Sequence, residues 1–217
     1  KGTNASITGV IKLLAPQSVG IFAKDNGNTY SALNAGTISL ENPTGKDYTS
    51  LIGMFAQGTT GKKASVKNTG TINIDTKESV GMYAENNTGN LADVDLHNAE
   101  IININSKSSA GIYAPKSTVS KVGTIKLKDT NDSDGSSAVY ISEGGKVADT
   151  ASAEINLGTV NQNRVAYYVN GKDSVLAGAN IGKVVGYGVG VYLKGNSITD
   201  KAKIDGNTPK LDYTLNG

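Results

Sequence analysis

The sequence predicts an all-β fold: a right-handed parallel β-helix, or β-solenoid, of about seven coils of 24–34 residues. Three observations lead to this prediction. A short motif recurs along the chain, a second motif lies between its copies, and clusters of Gly, Asn and Asp separate the two. The apolar spacing typical of helices is not sustained anywhere. We therefore expect residues 1–217 to form one β-helix segment.

The first motif is represented by "SVGMYA" at residues 79–84, and each copy contains a central glycine or alanine. Successive copies are 33, 28, 30, 27, 28 and 24 residues apart. The spacing drifts while the motif persists, which indicates loops of variable length on a constant scaffold. The central residues are Gly20, Gly53, Gly81, Gly111, Ala138, Ala166 and Gly190.

The second motif is represented by "GTINI" at residues 70–74. Its side chains alternate, so Ile72 and Ile74 are expected on one face and Thr71 and Asn73 on the other. This pattern is typical of a short, half-buried strand. The other copies are "GTISL" at 36, "AEIININ" at 99, "GTIKL" at 123, "AEINL" at 153, and the weaker "ANIGK" at 179 and "AKIDG" at 202.

Other repeat architectures fit less well. The L-x-x-L-x-L pattern of leucine-rich repeats is absent, and propeller blades need about 40–50 residues each. A parallel β-helix has coils of the observed length and tolerates loops at its corners.

Alternation within the first motif assigns its five positions, V-G-I-Y-A in order, to two faces. The first, third and fifth positions are mostly apolar, and we expect them inside the solenoid. The first position is occupied by Val19, Ile52, Val80, Ala110, Ser137, Val165 and Val189.

The aromatic fourth position is then expected to face outward, beside the small Gly or Ala residues, which would leave a shallow trough. The stacked rings would fix the register of the strands, or would form an exposed strip for contact with a glycan or a protein. The opposite orientation, with rings inside, stays open at this stage. The rings are Phe22, Phe55, Tyr83, Tyr113, Tyr140, Tyr168 and Tyr192.

Charge and composition restrict the possible functions. The net charge is only +2 and the lysines are scattered, so the chain has neither a basic stripe for nucleic acid nor a cationic helix for a membrane surface. It contains no Cys, which excludes disulfides and thiolate metal sites. No apolar run has the length of a membrane helix, and neither terminus resembles a natural one. We expect a piece of a longer protein.

Residues for catalysis are scarce, since the chain has one His and one Arg, His97 and Arg164. In "ADVDLHN", Asp93, Asp95 and His97 alternate along one expected strand face. They could bind a divalent metal or belong to a polysaccharide-cleaving site, or they could form a solvated outer face. The stretch "DTNDSDG" at 129–135 lacks both end ligands of a calcium loop. We expect no metal, no cofactor and no enzymatic activity.

The alternation of "GTINI" or "GTIKL" with "SVGMYA" or "SAGIYA" resembles the passenger regions of large autotransporter adhesins, which are type V secreted surface proteins of Gram-negative bacteria. The very long fusobacterial members are the most similar. The resemblance implies a right-handed β-helix, export through the outer membrane, and display at the bacterial cell surface or release from it. It also implies binding to a host receptor, a glycan or another bacterium. It identifies no site residue.

The leading functional hypothesis is therefore a monomeric, non-enzymatic adhesin segment. A spacer rod without binding of its own and a carbohydrate-active enzyme on a β-helix are the alternatives, and a trimeric surface fibre is a further structural one. If the segment binds a partner, we expect contact through the longest loops or the rings, because extra residues on a repeat scaffold collect in loops. Compared with the shortest coil, the longest insertions are residues 41–50, 57–67 and 128–137. The candidate binding residues are Tyr48, Tyr83, Tyr113 and Tyr140.

Overall fold

The computed structural model describes residues 5–27, 29–129, 133–148, 152–159, 163–171, 173–177, 180–195, 203–205 and 210–215. A short 3-10 helix spans Leu91–Asp93. The strands are β1 (Ala5–Ile7), β2 (Val10–Leu13), β3 (Val19–Lys24), β4 (Ala32–Asn34), β5 (Thr37–Leu40), β6 (Ile52–Gly58), β7 (Ala64–Asn68), β8 (Thr71–Ile74), β9 (Val80–Asn86), β10 (Val94–Asn98), β11 (Ile101–Ile104), β12 (Ala110–Pro115), β13 (Thr118–Lys121), β14 (Thr124–Leu127), β15 (Ser137–Ser142), β16 (Lys146–Val147), β17 (Glu154–Asn156), β18 (Val165–Asn170), β19 (Val175–Ala177), β20 (Asn180–Gly186), β21 (Val189–Lys194), β22 (Lys203–Asp205) and β23 (Lys210–Leu215).

Successive coils stack into three parallel sheets, and each complete coil contributes one strand to each sheet. Within the described residues the first sheet (β1-β4-β7-β10-β13-β16-β19-β22) and the second (β2-β5-β8-β11-β14-β17-β20-β23) contain eight strands each. The third sheet (β3-β6-β9-β12-β15-β18-β21) contains seven. The predicted β-solenoid is confirmed. No helix of the described chain is long and apolar enough to cross a membrane.

The sequence motifs account for two of the three sheets. The second motif forms the second sheet, and the first motif forms the third. The strands of the first sheet, such as Ala64–Asn68 and Val94–Asn98, share no short motif that sequence inspection can align. They are between two and five residues long where the structure describes them, and strands this short carry a weak periodic signal.

The interior is built from aliphatic side chains stacked coil on coil. In the second sheet, Ile38, Ile72 and Ile102 lie in register and are fully buried. The third and fifth positions of the first motif are also inside, as predicted; Met82 and Ala84 are 0% exposed. Leu193 is an exception at 47% exposure, because β21 is the edge strand of its sheet.

The first position of the motif faces outward, so its predicted interior placement is wrong. Val19 and Val189 are 37% and 42% exposed. Ile52 and Val80 are partly exposed and line a surface depression.

The second position, predicted to lie outside, instead points into the core. Gly81 is buried, and a Cβ built on it would lie 2.6 Å from the Gly111 carbonyl oxygen and 3.2 Å from the Cγ2 atom of Ile102. The second and third positions are therefore both inward, which breaks the strict alternation that the prediction assumed. Glycine permits this because it adds no side chain between adjacent coils. The predicted trough over the small residues does not form.

Substituting Gly81 by Ala is expected to lower the free energy of unfolding by about 1–3 kcal/mol, because the new methyl group overlaps a backbone carbonyl that cannot easily move. Gly9→Ala is the matched control. No atom lies within 4 Å of a Cβ built on Gly9, and its backbone is outside the left-handed region. We expect a change within about 0.5 kcal/mol there. Urea unfolding followed by circular dichroism measures both; equal effects would contradict the inward placement of Gly81.

A ladder of buried asparagines runs from coil to coil along the corner between the first and second sheets. Asn34 Nδ2 donates to Asn68 Oδ1 at 2.7 Å, and Asn68 Nδ2 donates to Asn98 Oδ1 at 2.7 Å. Asn98 Nδ2 in turn donates to the Val122 carbonyl at 2.6 Å. All three side chains are 0% exposed. Because each amide satisfies the next, the corner buries polar groups without leaving them unpaired.

Candidate binding groove

The aromatic residues form a continuous ladder on the outer face of the third sheet, as predicted. Neighbouring ring centroids are 4.7–5.4 Å apart along the whole series. The strand register places each ring directly beside the ring of the next coil, for example Tyr83 beside Tyr113 and Tyr113 beside Tyr140. The ladder therefore fixes the register and also occupies the outer surface.

Stacking leaves ring edges and hydroxyl groups at the surface, rather than ring faces. In the interior of the ladder each ring packs between two neighbours at interplanar angles of 29–54°, so its faces are largely covered. Tyr83, Tyr113 and Tyr140 are accordingly only partly exposed. Burial raises the pKa of the Tyr83 hydroxyl, and the neighbouring Tyr113, Glu85 and Glu143 raise it further. Tyr140 OH accepts a hydrogen bond from Asn170 Nδ2 at 3.1 Å.

A groove runs beside the ladder, along the axis of the solenoid. It consists of two depressions of 380 and 210 Å³ that share Glu78, Val80 and Tyr113. First-position residues form its floor, and ladder rings form one side. The lining residues are Ser50, Leu51, Ile52, Glu78, Ser79, Val80, Tyr83, Ser108, Ser109, Ala110, Tyr113, Gly135, Ser137, Tyr140 and Tyr168.

The opposite side of the groove is formed by the turn that precedes each strand of the third sheet. Ser50, Glu78, Ser108 and Gly135 all have left-handed backbone conformations there, with φ of 63°, 53°, 52° and 70°. The same conformation in successive coils produces a continuous rim. Sequence reasoning missed this rim, because a non-glycine residue at positive φ has no reliable sequence signal.

The rim is supported by buried serines at the next position. Ser79 Oγ accepts from the Leu51 amide at 3.1 Å, Ser109 Oγ accepts from the Ser79 amide at 3.2 Å, and Ser136 Oγ accepts from the Ser109 amide at 3.0 Å. Each hydroxyl thus satisfies a backbone donor of the preceding coil. The sequence does show these buried serines, because a serine opens both "SVG" and "SAG".

Arg164 occupies the corresponding corner position one coil after Ser136. Its side chain is 0% exposed, and its guanidinium donates to the carbonyl groups of Leu157 and, at 2.8 Å, of Lys128. Burial lowers the pKa of this guanidinium, while Asp129 and Asp134 oppose the shift. The one arginine of the chain therefore stabilises the corner through these hydrogen bonds and does not line the groove.

Tyr48, which was predicted as a binding residue, is separate from the groove. Its ring packs against the hydrophobic core, and its amide donates to Asn42 Oδ1 at 2.6 Å. Asp47 of the same loop forms an ion pair at 2.7 Å with Lys77 of the next coil. Of the four candidate residues, the structure brings together Tyr83, Tyr113 and Tyr140. Residues 130–132 of the predicted 128–137 loop lie outside the described part of the chain.

The acidic and histidine residues of "ADVDLHN" form a hydrogen-bond network on the first sheet. Val94 and Leu96 are buried while Asp95 and His97 face outward, as alternation predicts. Asp95 accepts from Tyr30 OH and, at 3.0 Å, from the Ser120 amide. His97 Nδ1 lies 3.0 Å from Ser120 Oγ.

Asp93 belongs to the 3-10 helix rather than to this strand, and it pairs with Lys63 at 3.6 Å. Within the described residues, no three His, Asp or Glu side chains are grouped to hold a metal ion. The absence of a metal stays a prediction.

Tyr30 should make stability decrease at high pH. Burial, together with its hydrogen bond to Asp95, raises the pKa of Tyr30 to about 12. Because an unfolded tyrosine titrates near pH 10, the folded state holds this proton more tightly between about pH 10 and 12, and stability falls as pH rises through that range. We expect the free energy of unfolding of Tyr30→Phe, measured by urea unfolding, to decrease less steeply between about pH 10 and 12. Identical pH slopes for the two proteins would contradict this assignment.

Comparison with known proteins agrees with the parallel β-solenoid architecture. Residues 1–92 match the family model of the BigA third pectate lyase-like domain. The matched stretch includes three copies of the first motif and runs from the first coil to the 3-10 helix. No curated protein and no solved structure matches the chain.

Proposed function

We propose that this chain is a surface-exposed segment of a bacterial adhesin, exported as an autotransporter passenger, and that it attaches to its ligand through the groove beside the aromatic ladder. The observation that carries this proposal is the continuity of the groove. Successive coils are about 4.8 Å apart, so the lining from the coil of Ile52 to that of Tyr168 extends over about 19 Å. A rod that acts only as a spacer would not require a continuous groove.

Three further points support an attachment role. The matched family model is a numbered domain, the third, which fits a segment of a longer surface protein. The motif alternation resembles fusobacterial autotransporter adhesins over nearly the whole chain. The groove side is formed by repeated turns, and loops on rigid scaffolds are common sites of recognition.

A carbohydrate-active enzyme is the second candidate, favoured by the pectate lyase-like match. The lining of the groove supplies little for catalysis. Among the described residues that line the groove, Glu78 is the one carboxylate and none is His, Lys or Arg. Glycoside hydrolysis typically uses a pair of positioned carboxyl groups, and the described lining offers one, so we favour binding without catalysis. Incubation with polygalacturonate should release no new reducing ends.

The test of attachment uses the purified 217-residue chain and cultured epithelial cells. We expect the labelled chain to bind, and the triple variant Tyr83→Ala, Tyr113→Ala, Tyr140→Ala to lose most of this binding. Tyr30→Ala is the control, since Tyr30 is also a half-buried outer tyrosine but belongs to a network on the first sheet. Circular dichroism verifies that each variant is folded.

Tyr48→Ala separates the loop from the groove. Because this ring packs on the core, we expect a lower melting temperature and unchanged attachment. A folded triple variant that attaches as well as the parent would exclude the groove, and a parent chain that does not attach would favour the spacer. Light scattering should give a monomer of 22.3 kDa.

A further inference from the structure

We propose that the ligand of the groove is an uncharged, linear glycan that lies along the solenoid axis and is held at the edges of the tyrosine rings. This inference rests on the proposed attachment function and specifies its ligand class. Three features of the groove support it: the exposed ring edges and hydroxyl groups, the charge of the lining, and the lack of unpaired backbone donors on its described strands.

Ring edges select for oxygen-rich ligands. In the interior of the ladder, neighbouring ring centroids are 4.7–5.4 Å apart and the ring planes are tilted by 29–54°, which leaves no space for a sugar between them. The edge of an aromatic ring is the positive end of its quadrupole, so it contacts electron-rich oxygen atoms favourably. The rim and floor add the side chains of Ser50, Ser108 and Ser137, which are partly or fully exposed. Rings and serines together form an array of hydroxyl groups.

The charge of the groove disfavours an anionic polymer. Among the described residues that line the groove, Glu78 is the one charged residue and none is a cation; Lys194 acts electrostatically on Tyr168 at one end of the groove. An acidic polysaccharide would meet the exposed carboxylate of Glu78, which carries the same sign of charge, without a cation in the described lining to offset the repulsion. The ligand class therefore differs from the pectate in the name of the matched model.

An extended peptide is a poorer match for the same surface. Peptides that bind β-proteins through their main chain usually add to an exposed sheet edge. The groove lies on a sheet face, and the backbone donors of its strands are used between coils, as in the bond from the Val80 amide to the Leu51 carbonyl at 2.9 Å. A glycan needs no such backbone partners.

The test measures competition for cell attachment by the 217-residue chain. The competitors are neutral hexasaccharides of glucan, mannan, galactan and xylan, against polygalacturonate, heparin and a mixed peptide library. We expect a neutral hexasaccharide to compete, and Tyr113→Phe to weaken its binding about three- to tenfold, the equivalent of one hydrogen bond. Tyr30→Phe, the same change outside the groove, should leave binding unchanged. Added salt should have little effect, because the ligand carries no charge.

The possible outcomes separate this inference from the proposed function. Attachment that only polygalacturonate, heparin or peptides compete, or that no competitor affects, would overturn the ligand class and leave attachment in place. Absence of attachment by the folded parent chain would overturn both.

Discussion

Replacing Ile72 by Asp is expected to lower the free energy of unfolding by more than about 4 kcal/mol. Ile72 is 0% exposed and is stacked between Ile38 and Ile102 of the neighbouring coils. The substitution removes a buried aliphatic side chain and places a carboxylate where no described cation can pair with it. Because each coil depends on its neighbours for a closed core, the loss should extend beyond one coil.

Thr71→Asp is the matched control for this prediction. Thr71 is adjacent in the same strand, but it faces outward and is partly exposed. We expect a change within about 0.5 kcal/mol. Urea unfolding of both variants gives the comparison, and similar losses at the two positions would contradict the assignment of inner and outer faces in the second sheet.

Replacing Asn68 by Asp should cost about 3–5 kcal/mol, although the two side chains have nearly the same shape. Asn68 Nδ2 donates to Asn98 Oδ1 at 2.7 Å and to the Gly70 carbonyl at 3.1 Å. The substitution turns this donor into an acceptor, so two oxygen atoms face each other and a negative charge is buried at a fully enclosed position. The ladder would be interrupted at its centre.

Asn73→Asp provides a control with the same chemical change. Asn73 also participates in a coil-to-coil amide pair, accepting from Asn103 Nδ2 at 2.8 Å, but it is partly exposed and acts there as the acceptor. An aspartate retains that role, and we expect a loss below about 1 kcal/mol. Thermal unfolding at neutral pH distinguishes the two sites; if Asn68→Asp were as stable as Asn73→Asp, the buried ladder would not contribute to stability.

The parts of the fold that the sequence predicts are those carried by repeated side chains. Alternation in "GTINI" places Ile72 and Ile74 inside, and the recurrence of an aromatic residue predicts the outer ladder with Tyr83 and Tyr113. Such features are visible because the same residue type returns at the same position in several coils, and stacking requires this.

The errors arise where the backbone departs from a period of two. Gly81 and Met82 both point inward, so the residue before them, Val80, is outside. A pattern argument cannot detect this, since glycine has no side chain to show its direction. The packing of Tyr48 was not predicted, for a different reason. Loop composition favours surface contact on average, but this ring packs against the core through tertiary contacts that the sequence does not specify.

The groove was only partly predictable for the same reasons. Its rings could be identified, but its floor required the outward placement of Val80, and its rim required left-handed backbone at Glu78 and Ser108. Buried polar ladders at Asn68 and Ser79 were not predicted either, because both residue types are far more common on protein surfaces.

The attachment of Val80→Cys before and after modification with a bulky maleimide tests the central proposal most directly. The chain contains no Cys, so a single introduced thiol is the only one that reacts. Val80 lies on the floor of the groove, and Lys126, exposed on the second sheet, provides the control as Lys126→Cys. We predict that modification at residue 80 abolishes attachment to epithelial cells while modification at residue 126 does not. Full attachment by the completely modified Val80→Cys chain would contradict the proposal that the groove binds the ligand.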